Sequence, residues 1–166
     1  MGFEHELPHQ GKTNVWLTPK DIIQRLGPFD LDPCAAPHPR PWNTATTHIV
    51  EAEDGLSRVW SGLVWCNPPY GSQTSVWLEK LSNHSGGGIA LVFARTETKW
   101  FQSVAHKASL FFFPEGRIRF CRPDGSLGDG SAGAPSVFLA FGEEAATRLK
   151  QIGIRGVFSL AQRVQG

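Results

Sequence analysis

The residues best suited to chemistry are Asn67-Pro68-Pro69-Tyr70, which follow directly on the apolar run Gly62-Leu63-Val64-Trp65-Cys66. That run reads as a buried strand, and it has to stop there because two successive prolines offer no N–H to a sheet ladder. An amide, rigid carbonyls and an aromatic ring at a strand end suit methyl transfer to an amino group conjugated with a ring or a carbonyl. The lone pair of such a nitrogen is delocalised, so it attacks poorly. Accepting both of its hydrogens, through the Asn67 side-chain oxygen and the Pro68 carbonyl, favours a pyramidal nitrogen as the new bond forms. This is electrostatic preorganisation aimed at the transition state. The prolines hold the carbonyl rigid, and Tyr70 can stack on a planar acceptor. The tetrapeptide alone also suits a plain proline turn closing a strand, so its surroundings have to decide.

Upstream, Asp54-Gly55-Leu56 and Trp60 precede the strand, Asp32-Pro33-Cys34-Ala35-Ala36 follows an earlier one, and Trp16-Leu17-Thr18-Pro19 opens a helix. Two acids at strand ends on one edge of an α/β sheet can reach a nucleoside and a cationic group. Either acid alone serves equally well as a cap or turn residue; the ordered set ending at Asn67–Tyr70 is much more specific. His5-Glu6-Leu7-Pro8-His9 matches the helical zinc signature H-E-x-x-H. Pro8 breaks the helix that would have to carry both histidines, so no metal site is expected. The three cysteines (Cys34, Cys66, Cys121) show no C-x-x-C spacing, which argues against a zinc site and a disulfide framework.

Helices and strands alternate around these residues. Thr18-Pro19-Lys20-Asp21 predicts a helix start with Thr18 as N-cap, Ile22, Ile23 and Leu26 on one face, and a stop at Gly27-Pro28. Phe29–Asp32 reads as a strand end and Pro33–Pro41 as an irregular loop. A helix over Ser72–His84 places Val76, Trp77 and Leu81 on its apolar face. Ile89–Ala94 reads as a strand, Thr96–His106 as a helix, and Leu110–Phe113, Gly116–Phe120 and Ser136–Phe141 as strands. Cys121–Pro135 reads as a long mobile loop and Glu143–Gln151 as a helix. The expected architecture is one α/β domain over 15–160, with a mostly parallel central sheet and helices on both faces. A flexible arm (1–14) and a short tail (161–166) flank it, with no separate target-recognition domain.

The 166 residues, 40 % hydrophobic and 19 % charged, fit one soluble domain and exclude a disordered tail or a membrane bundle. No apolar stretch approaches the ~20 residues of a bilayer span, and the start MGFEHELPHQGK has no signal-type apolar region, so a cytoplasmic address is expected. Net charge is +1, yet residues 1–60 hold eight acids against five bases, while Leu91–Gly125 holds six bases against three acids. That asymmetry suits a cationic ligand on one side and a polyanion on the other.

The chain resembles the phage-type DNA N6-adenine methyltransferases, the Dam-like family of phages and prophages. The resemblance runs from Trp16 to about Phe141 and rests on WLTP, FDLDPCA, EDGL with Trp60, NPPYG, ARTETKWF, GRIRF and PSVFLAF. It implies a Rossmann-like fold, S-adenosylmethionine as cofactor and double-stranded DNA as partner. Among the cofactor-binding positions, Trp16 and Thr18 would hold the methionine end, and Asp32, Pro33 and Cys34 would form the turn beneath the cofactor. Asp54 would lie near its adenine, with Asn67 also in contact. Asn67, Pro68, Pro69 and Tyr70 would clasp a flipped adenine, since its amino group is otherwise paired. Arg95, Lys99, Arg117, Arg119 and Arg122 are the candidate DNA contacts. The turn after the first strand has no glycine, so close approach of a cofactor relies on Ala35 and Ala36.

An amino clasp alone does not separate adenine N6 from cytosine N4, an RNA adenine or a protein glutamine. A catalytically inactive DNA-binding decoy is the non-enzymatic alternative. Cytosine C5 chemistry is disfavoured because no cysteine stands where a nucleophile would have to be.

Overall fold

The computed structural model describes residues 15–130, 132–162 and 164, so the arm 1–14 and the His5–His9 motif lie outside the described residues. The described chain folds as one α/β unit of seven strands and four helices. They run α1 (Lys20–Leu26), β1 (Leu31–Ala35), β2 (Thr47–Val50), β3 (Val64–Cys66), α2 (Thr74–Ser82), β4 (Gly88–Phe93), α3 (Lys99–Ala105), β5 (Leu110–Pro114), β6 (Ser136–Phe141), α4 (Glu143–Lys150) and β7 (Gly156–Ser159).

The strands form one sheet in the order β2-β1-β3-β4-β6-β5-β7. The pairings β1–β2, β1–β3 and β3–β4 are parallel, whereas β6 runs antiparallel to both β4 and β5, and β7 antiparallel to β5. Strands β1 to β5 therefore all point the same way, and only β6 and β7 oppose them. The sheet is mixed, with its parallel half where the candidate residues fall.

Side-chain alternation divides the core between the two faces. Trp65, Ile89, Leu91, Leu110, Phe112, Phe138 and Ala140 pack with Ile22, Ile23 and Leu26 of α1 and with Ala145 and Leu149 of α4. Val64, Cys66, Ala90, Val92, Val137, Leu139 and Phe141 pack with α2 and α3 on the other face. The α2 stripe is Thr74, Trp77, Leu78 and Leu81, spaced i, i+3, i+4, i+7. Val76, expected on that stripe, is exposed because it sits one residue, and so about 100° of helix, off its centre.

Several local expectations are corrected. Thr18 does not cap α1: the helix begins at Lys20 after Pro19, without a side-chain cap. Strand β1 continues through Pro33 and Cys34 instead of ending at Asp32. The missing Pro33 N–H is accommodated where the β1–β2 register shifts, between Asp32 and Ala35. Gly116–Phe120 is not a strand. Its alternation is real, with Ile118 and Phe120 buried and Arg117 and Arg119 exposed, but the free edge of β5 is taken by β7. The segment lays its apolar side chains on the α1/α4 core instead. Cys121–Pro135 is tied down in part by bridges from Cys121 to Leu17 and to Leu127. Strands β2 and β7 were not expected at all. No helix among the described residues is long and apolar enough to cross a membrane.

Trp65, 1 % exposed and 5.5 Å from the Phe29 ring, joins β3 to the α1 face. Trp65→Ala is expected to cost about 3–5 kcal/mol through lost burial and the cavity left behind. Urea denaturation measures it, and a loss under about 1 kcal/mol would contradict this placement.

Candidate active site

From β1 the chain goes outward to β2 and then returns to β3 on the opposite side of β1. In an open parallel sheet such a reversal leaves a crevice outside the carboxyl ends of the two strands. Asp32 lies inside β1 and Cys34 one residue before its carboxyl end, while Asn67–Tyr70 follows β3 directly, so two of the three sequence-selected groups border that crevice, the first through Cys34, whose Sγ lies 3.9 Å from Cys66 Sγ.

The third is brought there by close packing. A Cβ on Gly55 would fall 1.9 Å from the Pro33 carbonyl oxygen and 3.0 Å from the Trp77 ring, so only glycine lets this turn lie against β1. Asp54, just before it, takes the left-handed conformation (φ 51°), which costs energy for any non-glycine residue and is best tolerated by Asp and Asn. Its carbonyl accepts from Ser57 N at 3.0 Å and Ser57 Oγ at 2.9 Å, while its carboxylate is exposed.

Asn67 Nδ2 donates to Thr18 Oγ1 at 3.2 Å, which gives buried Thr18 a positioning task in place of the capping one. Asn67 Oδ1 is buried and has no hydrogen-bond partner. The Pro68 carbonyl likewise accepts no hydrogen bond from the described residues. The turn is anchored one residue further on, where Thr74 Oγ1 at the start of α2 donates to the Pro69 carbonyl at 2.9 Å. Tyr70 lies flat on Phe93, at the carboxyl end of β4, with centroids 4.2 Å apart and planes 9° apart. Partial burial pushes its phenol above the ordinary range, so it stays neutral at any working pH.

Asp32 is 4 % exposed. It accepts from Cys34 N at 3.1 Å and from the Thr44 hydroxyl. Burial outweighs these bonds and the charge of Arg40, and raises its carboxyl from 3.8 to about 6. Cys34 Sγ lies 3.9 Å from Cys66 Sγ; that contact and burial hold the Cys34 thiol protonated. Among the described residues no three His, Cys, Asp or Glu side chains are grouped to hold a metal.

The DNA N-6-adenine-methyltransferase (Dam) model matches residues 6–154 of the 166. The chain belongs to the Dam family. No curated protein and no solved structure matches it.

In this Dam-family chain the cationic candidates divide into two groups. Arg117 donates to the Ala132 carbonyl at 3.1 Å, Arg119 to Gly128 at 3.4 Å and Arg122 to Leu127 at 2.9 Å, and Arg122 also pairs with Asp129. These three arginines brace the loop after Phe120. The Arg95 and Lys99 side chains are exposed and make no hydrogen bond or ion pair among the described residues. Trp16 is 39 % exposed and packs over Gly128, where a Cβ would meet its ring at 2.9 Å. Trp42, in the β1–β2 connection, donates from Nε1 to the Thr18 carbonyl at 3.2 Å, and a Cβ on Gly125 would meet its ring at 3.1 Å, so the loop after Phe120 reaches the Asn67 clasp through Trp42 and Thr18.

Sequence reading missed Thr44, Trp42, Thr74, Phe93 and Lys80. Only the Thr at the start of a helix gave any signal; the others act across long sequence separations. Lys80 Nζ donates to the Leu56 and Arg58 carbonyls at 2.6 Å each and lies 4.8 Å from the centre of the Trp60 ring, whose Nε1 bonds the Gly55 carbonyl at 2.8 Å. Lys80 and Trp60 thus clamp the Asp54 turn. Lys80→Met is expected to cost about 1–3 kcal/mol in urea denaturation and to speed tryptic cleavage after Arg58, with Lys80→Arg partly restoring both. Unchanged cleavage would show that the turn holds without the clamp.

Proposed function

We propose that the chain transfers a methyl group from S-adenosylmethionine to the exocyclic N6 of adenine in DNA, with the base flipped into the Asn67–Tyr70 clasp. The observation that carries this reading is the pair of acceptors at the carboxyl end of β3, Asn67 Oδ1 and the Pro68 carbonyl, both without a donor among the described residues. Buried acceptors normally find donors, and leaving one unmet costs about 1–3 kcal/mol. An amino group with two N–H bonds meets both at once.

The residues at the crevice fit the cofactor. Asp32 is a buried carboxyl with no cation of the described residues within hydrogen-bonding distance, suited to the amino group of the methionine end. The irregular stretch of β1 at Pro33 and Cys34, with the Asp54 turn packed on it, offers a floor and an acid for the nucleoside end. When bound, S-adenosylmethionine supplies an electrophilic methyl on a sulfonium. The fold is accordingly read as a Rossmann-like methyltransferase fold, its ligand crevice at the switch between β1 and β3.

The chain's own part is to orient the acceptor. Thr18 holds the Asn67 amide by its nitrogen, which leaves Oδ1 for the substrate N–H. Thr74 fixes the Pro69 carbonyl and with it the direction of the Pro68 carbonyl. As the N–C bond forms, the nitrogen gains positive charge and its two N–H bonds strengthen toward these oxygens, so the stabilisation is largest in the transition state. The extra proton then leaves to solvent. Tyr70, backed by Phe93, covers the face of the base. Arg95 and Lys99 are proposed to meet DNA phosphates; Arg117, Arg119 and Arg122 act through the loop they brace.

Tritiated methyl transfer to DNA followed by nucleoside analysis tests the reading, with N6-methyladenine as the expected product. Asn67→Ala is expected to lower turnover at least a hundredfold while S-adenosylmethionine still binds in calorimetry. Methylcytosine as the product, or full activity in Asn67→Ala, would overturn it.

The Asp32 carboxyl sets an opposite pair of pH responses. Its folded-state value of about 6 lies above the unfolded 3.8, so the free protein gains stability as pH falls through 6 toward 4. Two units correspond to about 3 kcal/mol. A cationic amino group favours the ionised carboxyl, so cofactor affinity is expected to fall across the same interval. Calorimetry and urea melts from pH 4.5 to 8 measure both, and Asp32→Asn is expected to flatten both profiles.

A further inference from the structure

The buried Asp32 carboxyl takes one of its two hydrogen bonds from a segment with little of its own to hold it. Residues 37–45, between β1 and β2, contain three prolines and form neither helix nor strand. Among the described residues their backbone is hydrogen-bonded through Thr44 N and Ala45 N, and both donate to one atom, His48 Nε2, at 3.2 and 3.3 Å. His48 is the register partner of Asp32, on the neighbouring strand β2. The Thr44 hydroxyl, on the residue so held, donates to Asp32 Oδ2, while Cys34 N donates to Oδ1. One imidazole thus ties the strand beside Asp32 to the loop that supplies its hydroxyl donor.

The chemistry demanded at position 48 is narrow. Two adjacent N–H groups need a lone pair, which a lysine or an arginine lacks. A carboxylate would supply one, but would set a second negative charge opposite Asp32. A neutral imidazole accepts at Nε2 and keeps its proton on Nδ1. The titratable groups facing it are Asp32 on β1 and Arg40 and His38 in the connection. Burial and the charges of Arg40 and His38 lower the His48 pKa and hold the ring neutral. Asp32 then has a use for the fixed hydroxyl. An ionised carboxylate has about four acceptor sites, and Cys34 N and Thr44 take one on each oxygen. Each oxygen keeps a site for a cation.

We infer that His48 is a positioning residue of the cofactor site, which holds Thr44 N and Ala45 N and thereby keeps the Thr44 hydroxyl on the carboxylate that receives the cofactor's amino group. The relay from His48 through Thr44 to Asp32 belongs to the free protein; its service to the cofactor rests on the reading proposed above. His48 acts through Thr44 and touches no reacting atom. A hydrogen bond to the charged form favours that form. Without it Asp32, already pushed up to about 6 by burial, would stay protonated further into the neutral range and lose its hold on a cation.

Two measurements on the full chain test this. In the free protein, carbon-13 NMR follows the Asp32 carboxyl through its titration. His48→Ala is expected to raise the midpoint by about 0.5–1 pH unit, the worth of one hydrogen bond. His48→Gln, whose side-chain oxygen can still accept, is expected to keep the wild-type midpoint. Thr44→Val should raise it as far as His48→Ala does, and the double variant no further, because both remove the same bond. If His48→Ala does not fold, His48→Leu replaces it, and nitrogen-15 NMR of the wild-type imidazole is expected to show Nε2 without a proton. An unmoved midpoint, additive shifts in the double variant, or a ring protonated at Nε2 would overturn the relay. Calorimetry at pH 7 then reads the cofactor: His48→Ala is expected to weaken S-adenosylmethionine binding about three- to tenfold, and His48→Gln to restore it. Equal weakening in both variants would overturn the inference, by making the ring a space-filler. A wild-type chain that binds no S-adenosylmethionine would sink the proposed function and the cofactor half of the inference, while the NMR result still decides the relay.

Discussion

Everything at the candidate site depends on holding an acceptor oxygen still while denying it a donor. A free amide would rotate or draw in water to relieve the deficit. Asn67 cannot readily do so, because Thr18 holds its nitrogen and the strand before it is buried on both faces. The following prolines fix φ and lack N–H groups, so the turn has neither the freedom nor the donors to satisfy its own carbonyls. The cost is local, and the sheet covers it by burying Val64, Trp65 and Cys66 almost completely. This is strain kept where the surrounding structure over-determines it.

The order in which the structure supports that turn explains its unequal legibility. Asn67–Tyr70, Asp32 and the Gly55 turn were readable because their chemistry is written in consecutive residues. Strands β3, β4 and β6 were readable because runs such as Ile89–Phe93 and Val137–Phe141 are apolar throughout, as buried strands must be. Strand β2 was not: Thr47–Val50 is a partly exposed edge strand preceded by a proline-rich stretch, without an apolar run to mark it. Strand β7 was hidden for the same reason, with all four residues exposed at the opposite edge. Gly116–Phe120 misled in the other direction, since alternation reports one buried side and says nothing about whether a strand neighbour exists.

The supporting contacts were beyond reach for a different reason. Thr44 on Asp32, Lys80 on the Asp54 turn and Thr18 on Asn67 join residues separated by 12 to 49 positions. Their side chains are ordinary surface or cap types, so nothing in composition distinguishes them from neighbours with no such task. Thr18 is the clearest instance. Its position before Pro19 fits the N-terminal signal of a helix, but the helix manages without it and the hydroxyl goes to the site instead.

The basic residues show how loop architecture and ligand binding compete for the same groups. Arg117, Arg119 and Arg122 point their guanidiniums at carbonyls of the 128–132 region and neighbouring residues, and Arg122 has its charge matched by Asp129. Those bonds give shape to the glycine-rich segment after Phe120. Rigid bracing lowers the ordering cost on binding, at the expense of free positive charge. Arg95 and Lys99 follow β4 and have no partner among the described residues. Net charge alone merges these two kinds of group: guanidiniums committed to bracing a loop, and cations left without a partner among the described residues.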